Sequence, residues 1–592
     1  MKLSDYVASF LAGINVRHVF AISGGASLHL IDSIARTPGI RYICPQHEQA
    51  GAMAADAYSR VTGHLGVAIS TSGPGATNMI TGICSAYYDS IPVLFITGQV
   101  ATFRFSGDTG VRQMGFQETD IVSICRPITK YVVRIDRAHQ IRYELEKAYH
   151  IALTGRPGPV VVDLPDDLQR SDIDPETLEG FTAPIAEQSE RSLAKDAARS
   201  LELLKEAKRP VIILGAGVRL AHADREAREL IESLNVPVLP TWAVLDIFPG
   251  DHPLLAGPFG SHGTRHGNFA VQNCDFLLSI GCRLDTRATG GYPTFAREAK
   301  RVVVDIDICE LNKYKKFDFR CDLLVQADAG EFIRELLLCP ADAEATDFGE
   351  WISLIDSWKR RYPACAPEKY EEKDVNPYVF VKELSRQLNS DEVIFSDTGC
   401  ALAWMTQAFE FKENQRFIHD FNNTAMGWAL PAAIGACFAL DGKQIICVTG
   451  DGSLQMNIQE LATVLRHDLP IKIFLLNNHG YSMILQTQDQ WLNSRYEGTT
   501  VESGLAFPDF VAVAKAYGYR TLNITRNDQL TEGINCALNV PGPVFCNIEI
   551  RPDHNVAPQV RFGRPLEDGE PFLERKELFE NMIVKPVDAS LR

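Results

Sequence analysis

The sequence predicts an α/β protein built from three doubly wound parallel sheets. Short β-branched runs alternate with helical stretches in three regions, residues 1–170, 191–340 and 375–551, as they do in strand–helix–strand units. Polar segments, 166–190 and 340–374, lie around the boundaries of these regions and read as connections. A chain of 592 residues has room for three or four such domains, each with its own core.

The elements of the first region can be placed in order. Strands are predicted at 19–22, 41–44, 67–70 and 93–97, and each ends in a polar or glycine-rich loop. An alanine-rich helix is predicted at 49–61. The second region starts with a strand at 209–214. The charged, proline-containing segment 552–592 is predicted to be a surface or subunit-capping extension.

The third region contains the most informative stretch of the chain. A strand at 445–449 runs into Gly450-Asp451-Gly452-Ser453, and a second strand at 471–476 ends in Asn477-Asn478. One helix is predicted between them from apolar residues at helical spacing: Ile458, Leu461, Ala462 and Leu465. The carboxyl ends of parallel strands bind ligands in open α/β sheets. A carboxylate and an amide there suit Mg²⁺ or Ca²⁺, although Asp-Gly with a capping Asn is also a common turn.

The first and third regions echo each other. Pro-Gly-Pro precedes a β-branched run at 157–162 and again at 541–546. Each reads as a turn that feeds the last strand of a sheet. The echo predicts two related α/β domains that flank a different one.

Composition excludes several classes of function. The net charge is −17 with no basic block, which argues against nucleic acid and anionic membranes as partners. The 14 cysteines form no C-x-x-C pair, and residues such as Cys44, Cys274 and Cys447 read as small buried hydrophobes in a reducing compartment. No signal peptide or membrane-length apolar run is present, so a cytoplasmic protein is expected.

Several motifs in a fixed order resemble the acetolactate (acetohydroxyacid) synthase branch of the thiamine-diphosphate enzymes. They are HEQAGAMAADAYSRVTG (47–63), SGPGATN (72–78), MGFQETD (114–120), RPITK (126–130), MGWALPAAIGA (426–436) and GDGS, whose Asp precedes Asn478 by 27 residues. The resemblance covers about residues 1–550. It implies the thiamine-diphosphate-enzyme fold, with a pyrimidine-binding, a central and a diphosphate-binding domain, in that order.

The resemblance assigns the thiamine site. Glu48 is expected to hydrogen-bond N1′ of the aminopyrimidine and to help deprotonate the thiazolium carbon; its other reading is a first-turn glutamate favoured by the helix dipole. Metal ligands are expected at Asp451, Asn478 and the Gly480 carbonyl. Met426 is expected to bend the cofactor, or else to be an ordinary core methionine. The remaining expected cofactor contacts are Thr424, Gly399, Cys400, Gly452 and Ser453.

Substrate-side positions follow from the same resemblance. They are Gly25 with its neighbours Gly24 and Ala26, His29, Phe116, Gln117, Lys130 and Thr487. The chain departs from the family at three places. Gly399-Cys400-Ala401-Leu402 stands where the family usually has Gly-Gln-His, so a phosphate-contacting histidine is missing, His29 replaces a proline, and Thr487 replaces a tryptophan. Loss of that aromatic wall predicts a larger or more polar acceptor pocket. His29 is expected either to bind the acceptor or simply to pack.

The central region resembles the FAD-binding version of its domain. The residues expected to bind FAD are Gly215, Ala216, Gly217, His262, Gly263, Thr264, Gly281, Arg283, Asp285, Arg287, Asp305 and Asp307. The two arginines are expected to pair with the pyrophosphate. The flavin is expected to be a non-redox passenger, and the alternative is a vestigial domain with an empty pocket.

These expectations combine into one function. Pyruvate is decarboxylated and its two-carbon unit is transferred to a carbonyl acceptor, either a second pyruvate or a larger ketone such as a nucleotide-linked keto-sugar. The alternatives are a pyruvate oxidase, a simple decarboxylase and a non-catalytic flavin-binding or regulatory subunit. The resemblance also implies that Glu48 and Asp451 meet across a subunit interface, so a homodimer is the minimum unit and a tetramer is compatible.

Overall fold

The computed structural model describes residues 1–184, 192–339 and 347–591, which contain three sheets whose strands are all parallel. The first sheet has six strands in the order β2-β1-β3-β4-β6-β5. Its strands are β1 (His18–Ala21), β2 (Arg41–Ile43), β3 (Gly66–Ser70), β4 (Val93–Gln99), β5 (Tyr131–Arg134) and β6 (Val160–Pro165). Its α-helices are Leu3–Gly13, Leu28–Arg36, Glu48–Thr62, Pro74–Asn78, Ile80–Asp89, Ile121–Cys125, Ile141–Leu153 and Asp166–Gln169.

The second sheet has five strands in the order β11-β10-β9-β7-β8. They are β7 (Pro210–Leu214), β8 (Val238–Pro240), β9 (Phe276–Ile280), β10 (Lys300–Asp305) and β11 (Leu323–Gln326). The α-helices from this part of the chain are Leu193–Lys205, Ala216–Leu220, Asp224–Leu234, Arg265–Asn273, Thr286–Thr289, Ile308–Lys316, Ala329–Leu338 and Gly349–Arg361.

The third sheet repeats the topology of the first, with the order β13-β12-β14-β15-β17-β16. Its strands are β12 (Val393–Ser396), β13 (Arg416–Ile418), β14 (Ile445–Gly450), β15 (Ile471–Asn477), β16 (Arg520–Ile524) and β17 (Val544–Glu549). The α-helices that follow residue 374 are Pro377–Gln387, Cys400–Ala408, Ala429–Ala439, Asp451–Met456, Glu460–Arg466, Ser482–Leu492, Phe510–Tyr517, Leu530–Asn539 and Arg575–Glu580. The predicted echo is confirmed, because each Pro-Gly-Pro turn feeds the strand next to the edge of its sheet, β6 or β17.

The first and third domains pack through two alanine-rich helices, Glu48–Thr62 and Ala429–Ala439. A Cβ atom added to Gly435 would stand only 2.1 Å from the Ala54 carbonyl oxygen. Glycine is therefore what lets the two backbones approach so closely. The helix that begins with Glu48 is thereby held directly against the domain that carries Asp451.

Two predictions about connections need correction. The segment 340–374 contains the helix Gly349–Arg361, whose Trp351, Ile355 and Trp358 are buried in the central core. Spacings of four and three residues place these side chains on one helix face. The connection 166–190 begins with the helix Asp166–Gln169, and its residues 185–190 lie outside the described part of the chain.

The C-terminal segment is also more buried than a surface extension would be. Leu566 and Leu578 belong to the hydrophobic core of the central domain. Trp358 donates a hydrogen bond to Asn581 Oδ1 at 2.8 Å. The segment therefore returns from the third domain and packs on the second.

Two smaller predictions were wrong. The single helix expected after Gly450 is two helices, because Asn457 leaves helical geometry (φ −136°, ψ 29°) and its side chain donates to the Gly427 carbonyl at 2.8 Å. Cys44 is exposed, while Cys274 and Cys447 are buried as expected. All 14 cysteines are free. None of the described helices combines the length and the apolar composition needed to cross a bilayer.

Candidate active site

Glu48 starts a helix at the carboxyl edge of the first sheet. His47 caps that helix by accepting the Gln49 N–H at 3.1 Å, so Glu48 falls in the first turn. The Asn78 side chain, at the end of the helix Pro74–Asn78, donates to Glu48 Oε2 at 2.9 Å. A Cβ atom on Gly75 would lie 3.2 Å from Glu48 Oε1, so the glycine keeps space beside the carboxyl group. The half-buried carboxyl group is thus oriented by one partner and open on one side.

The other side chains predicted for the substrate do not all reach this edge. Gly25 begins a 3₁₀ turn just after β1, and His29 is half-buried in the following helix. Gln117 has a φ of +64° and packs on Gly73, where a Cβ atom would stand 3.0 Å from the Gln117 carbonyl oxygen. Phe116 is 83% exposed.

Lys130 lies at the opposite edge of the first sheet. It immediately precedes β5, and its backbone N–H binds the Pro159 carbonyl at 2.9 Å just before β6. Its ammonium group donates to the carbonyls of Ile151 and of Thr154, the latter at 2.7 Å. Burial lowers the pKa of Lys130 to about 8. Within one chain, the structure does not bring Lys130 together with Glu48.

Three oxygen donors converge where β14 and β15 end. The Asn478 side-chain amide lies 2.8 Å from the Gly480 carbonyl oxygen and 3.2 Å from Asp451 Oδ2, and with its nitrogen on that side it donates to both. Adjacent ligands of an octahedral Mg²⁺ with bonds of about 2.1 Å are separated by about 3.0 Å. Burial raises the pKa of Asp451 to about 6, against three backbone N–H bonds, from Gly452, Asn478 and Gly480, that lower it. The Asp451 carboxylate, the Gly480 carbonyl and, once the amide turns over, the Asn478 Oδ1 form an oxygen donor set that fits Mg²⁺.

The residues expected around the thiamine ring surround the start of the helix Asp451–Met456. A Cβ atom on Gly452 would collide with the Tyr481 ring at 2.3 Å and contact Met426 Cε at 3.2 Å. Gly427 has a φ of +80°, and a Cβ there would stand 2.8 Å from the Ser453 carbonyl oxygen. Thr424 also has a positive φ, +52°. Close backbone packing therefore holds Met426 beside the Gly-Asp-Gly turn.

Gly399 and Cys400 lie after β12 in the same domain. Gly399 has a φ of +82° and is the N-cap residue of the helix Cys400–Ala408. Cys400 is buried, and burial raises the pKa of its thiol above the usual range. Cys400 therefore contributes a neutral, inert thiol, and Ala401 occupies the position at which a histidine was expected.

A buried charge network ties the Met426 segment to the first domain. Arg60 makes two hydrogen bonds to Asp56, one to Asp89 at 2.8 Å and one to the His419 carbonyl at 3.2 Å. The indole of Trp428 donates to Asp56 at 3.0 Å. Burial raises the pKa of Asp89 to about 7 although Arg60 acts to lower it. Because these charges are paired, the network fixes both ends of the segment 419–428.

A cavity of about 440 Å³ lies where the three domains meet. Eight of the residues predicted to bind FAD line it: Gly215, Ala216, Gly217, Gly281, Arg283, Asp285, Arg287 and Asp305. A Cβ atom on Gly217 would stand 2.6 Å from the Gly281 Cα, so two glycine turns pack backbone to backbone. Arg287 lies over the Trp242 ring at 4.9 Å and forms no ion pair within the described residues. The glycine turns and an unpaired arginine fit an anionic dinucleotide.

The other four predicted flavin residues do not line the cavity. Thr264 and Asp307 cap helices by accepting the N–H groups of Gly267 and Cys309. The carbonyls of His262 and Gly263 accept hydrogen bonds from the Gln407 side chain at 3.1 and 3.2 Å.

Thr487 lies in the helix Ser482–Leu492, which starts two residues after Gly480. Its hydroxyl donates to the Met483 carbonyl at 2.9 Å, so its oxygen is left as an acceptor. Trp491, one turn further along the helix, is 64% exposed and meets the Phe562 ring at 6.3 Å.

Sequence reasoning missed several partners of these residues. Asn78 belongs to a quoted motif but was not assigned to Glu48. The Asp56–Arg60 spacing of four residues on one helix is a readable signal of an ion pair. The contacts of this ion pair with Asp89 and with residues 419–422 join distant parts of the chain, and no local sequence pattern predicts them.

Three family models match the chain in the order of its sheets. They are the N-terminal TPP binding domain (residues 1–124), the central domain (197–336) and the C-terminal TPP binding domain (397–548) of thiamine pyrophosphate enzymes. The chain belongs to the acetolactate synthase family of thiamine pyrophosphate enzymes. The predicted family and fold class are thereby confirmed.

Relatives from three different organisms resemble nearly the whole chain. The probable acetolactate synthase large subunit of Methanocaldococcus jannaschii is 36% identical over 564 residues, which are 93% of this chain and 92% of the relative. Acetolactate synthase isozyme 2 large subunit of Escherichia coli is 35% identical over 95% of this chain and 98% of its own. Chloroplastic acetolactate synthase 1 of Zea mays is 34% identical over 96% and 88%.

Proposed function

We propose that this protein is a thiamine-diphosphate-dependent carboligase that decarboxylates pyruvate and transfers the acetyl unit to a carbonyl acceptor. One observation carries the proposal: a single chain holds both an oriented glutamate, Glu48, and an oxygen trio suited to Mg²⁺. Its relatives over more than nine-tenths of its length are named acetolactate synthases. A non-catalytic flavin-binding or regulatory subunit would need neither feature.

Thiamine diphosphate supplies the nucleophilic carbon and the electron sink for decarboxylation. Glu48 would exchange a proton with the pyrimidine nitrogen N1′ of the bound cofactor through one carboxyl oxygen, while Asn78 holds the other oxygen in place.

Asp451, Asn478 and the Gly480 carbonyl would hold Mg²⁺, whose charge would neutralise the diphosphate. Gly452 and Ser453 offer backbone and hydroxyl donors at a helix start, where anions are favoured. Met426 lies against Gly452 and supports the bent conformation of the cofactor. Holding the cofactor in its reactive conformation lowers the activation free energy of the reaction.

The 440 Å³ cavity is the proposed FAD site, with Arg283 and Arg287 toward the pyrophosphate. Asp305 and Asp285 provide carboxylates for hydroxyl groups of the dinucleotide. We propose a structural, non-redox role for the flavin.

We propose a homodimer as the minimum active unit, compatible with a tetramer. Glu48 of one copy would then work with Asp451 of the other. Exposed apolar side chains on the loop 103–116 support this assembly, since Phe103 and Phe116 are 68% and 83% exposed. Such a patch is typical of an interface.

The acceptor is either a second pyruvate, giving 2-acetolactate, or a larger ketone such as a nucleotide-linked keto-sugar. Thr487 supports the larger acceptor, because its small side chain replaces an aromatic wall. His29 and Gln117 lie at or near the carboxyl edge of the first sheet, where they can contact the acceptor oxygen.

The deciding experiment incubates the enzyme with thiamine diphosphate, Mg²⁺, FAD, pyruvate and a panel of ketones and keto-sugars. Mass spectrometry identifies which acceptor gains a two-carbon unit. Formation of 2-acetolactate alone would assign pyruvate as the acceptor. Pyruvate consumption with no ligated product would contradict the carboligase proposal.

The same incubation separates the competing enzymes. A pyruvate oxidase would consume oxygen and bleach the flavin on addition of pyruvate. A simple decarboxylase would release acetaldehyde in proportion to the CO₂ formed. We expect neither oxygen uptake nor stoichiometric acetaldehyde.

A further inference from the structure

A fully buried glutamate of the third domain binds the turn that leads into Glu48. Glu460 Oε1 accepts the backbone N–H of Gln46 at 2.9 Å and that of His47 at 3.1 Å. Its other oxygen accepts the Thr463 hydroxyl at 2.7 Å and a second, longer bond from the Gln46 N–H at 3.2 Å. Glu460 is 0% exposed, and 414 residues separate it from Gln46 along the chain.

These two N–H groups need an external partner. They belong to the residues just before the helix Glu48–Thr62, where the helix itself provides no acceptor for them. The Gln49 N–H, by contrast, is satisfied locally by the His47 ring. The third domain therefore supplies the acceptor that the first domain lacks at this turn.

We propose that Glu460 is a positioning residue for Glu48: by binding the N–H groups of Gln46 and His47, it fixes the turn from which the Glu48 helix starts. The carboxyl group of Glu48 follows this turn directly, so a displaced turn moves the proton-exchanging atom. The inference rests on the proposed role of Glu48.

The contact between Glu460 and the turn depends on hydrogen bonds rather than on the negative charge of the carboxylate. All three donors converge on the two oxygens of one carboxyl group, and a glutamine in the same place can match them. Its carbonyl oxygen can accept both backbone N–H groups while its NH₂ donates to the Thr463 oxygen. Burial also raises the pKa of Glu460 to about 7, because a site without water disfavours the charged form of the carboxyl group.

The test compares Glu460→Ala and Glu460→Gln in the holoenzyme saturated with thiamine diphosphate and Mg²⁺. Hydrogen–deuterium exchange at C2 of the bound cofactor, followed by acid quench and NMR, reports Glu48 directly. In Glu460→Ala we expect exchange and kcat to fall by about 10- to 100-fold, the effect of misplacing a catalytic group by about 1 Å. The pyruvate KM and cofactor affinity stay within about threefold, because the metal trio is untouched. Glu460→Gln stays within about threefold of the wild type.

Glu392→Ala is the matched control. Glu392 is also a buried glutamate of the third domain, but it precedes β12 at the opposite edge of the sheet. Within the described part of the chain its side chain accepts hydrogen bonds from Asn389 and Gln444 and none from the first domain. Its loss is expected to lower thermal stability without changing the exchange rate.

Three outcomes would overturn the proposal. They are wild-type exchange in Glu460→Ala at full cofactor occupancy, an equal loss in Glu392→Ala, and a Glu460→Gln variant as slow as Glu460→Ala. The third would assign the effect to charge. Exchange at the wild-type rate in Glu48→Gln would instead refute the proposed role of Glu48 itself, so the two failures are distinguishable.

Discussion

The first and third domains share one strand order and carry opposite halves of the chemistry. In the first, the loops at the carboxyl ends of the strands present Glu48, Asn78 and a run of glycines. In the third, the same edge presents Asp451, Asn478 and the Gly480 carbonyl. The comparison teaches that topology sets where a ligand binds, while the loop residues set what is done to it.

The two halves also differ in how complete they are within one chain. The three groups expected to bind the metal all lie in the third domain, with the Asn478 amide 2.8 Å from the Gly480 carbonyl oxygen and 3.2 Å from Asp451 Oδ2. Glu48 is half-buried, and its side chain is oriented by a hydrogen bond from Asn78. Defects in the first half should therefore affect chemistry, and defects in the third should affect binding.

Glu48→Gln should cause the largest loss. We expect C2 deprotonation to slow by about two to four orders of magnitude, because a positioned acid–base group is removed. Cofactor affinity should change little, since the diphosphate is held by the third domain. The measurement is C2 exchange together with a cofactor titration. A loss of binding as large as the loss of rate would erase the distinction between the domains.

Asp451→Ala should have the opposite effect to Glu48→Gln, with a large loss of cofactor affinity. Removing the charged ligand should weaken Mg²⁺-dependent cofactor binding by about 2–5 kcal/mol, the usual cost of truncating one member of a buried charge pair. Calorimetric titration measures this effect. Chelation of Mg²⁺ from the wild type is the matching control and should lower affinity as much. Retained affinity in either case would remove the trio from cofactor binding.

The stabilisation of the protein by Mg²⁺ should increase with pH as the Asp451 carboxyl group ionises. Its pKa is raised to about 6, so the carboxyl is mostly protonated at pH 5 and ionised at pH 8. Because only the ionised form binds the cation, Mg²⁺ with thiamine diphosphate should raise the Tm more at pH 8 than at pH 5. Thermal melts at both pH values check this. Equal shifts would mean that another group binds the metal.

Thr487→Trp should have the smallest effect. The added ring narrows the acceptor pocket, and we expect transfer to the bulkier acceptor to fall by about tenfold relative to transfer to pyruvate. Competition between the two acceptors, read by mass spectrometry, gives the ratio. Thr487→Val keeps the volume and should leave the ratio unchanged.

The sequence predicted the sheets better than the contacts between them. Buried parallel strands are continuous β-branched runs, so β3, β14 and β15 were placed within one residue at each end. The helix Gly349–Arg361 was missed because its charged surface hid the spacing of Trp351, Ile355 and Trp358.

Site residues close in the chain were predictable, and distant partners were not. Asp451 and Asn478 end adjacent strands, so their meeting follows from the topology. The contact of Glu460 with the Glu48 turn depends on how two whole domains pack, and no local pattern encodes it. Lys130 illustrates the same limit, since its distance from Glu48 depends on which sheet edge its loop occupies.

The most direct measurement mixes two inactive variants, Glu48→Gln and Asp451→Ala, and lets their subunits reassort. If each site combines Glu48 of one subunit with Asp451 of the other, a hybrid dimer contains one intact site and one doubly defective site. Equal mixing should then restore about a quarter of the wild-type activity, as random pairing makes half of the dimers hybrid. No recovery, with hybrid dimers demonstrated by mass spectrometry, would place both groups of each site in one chain and contradict the account.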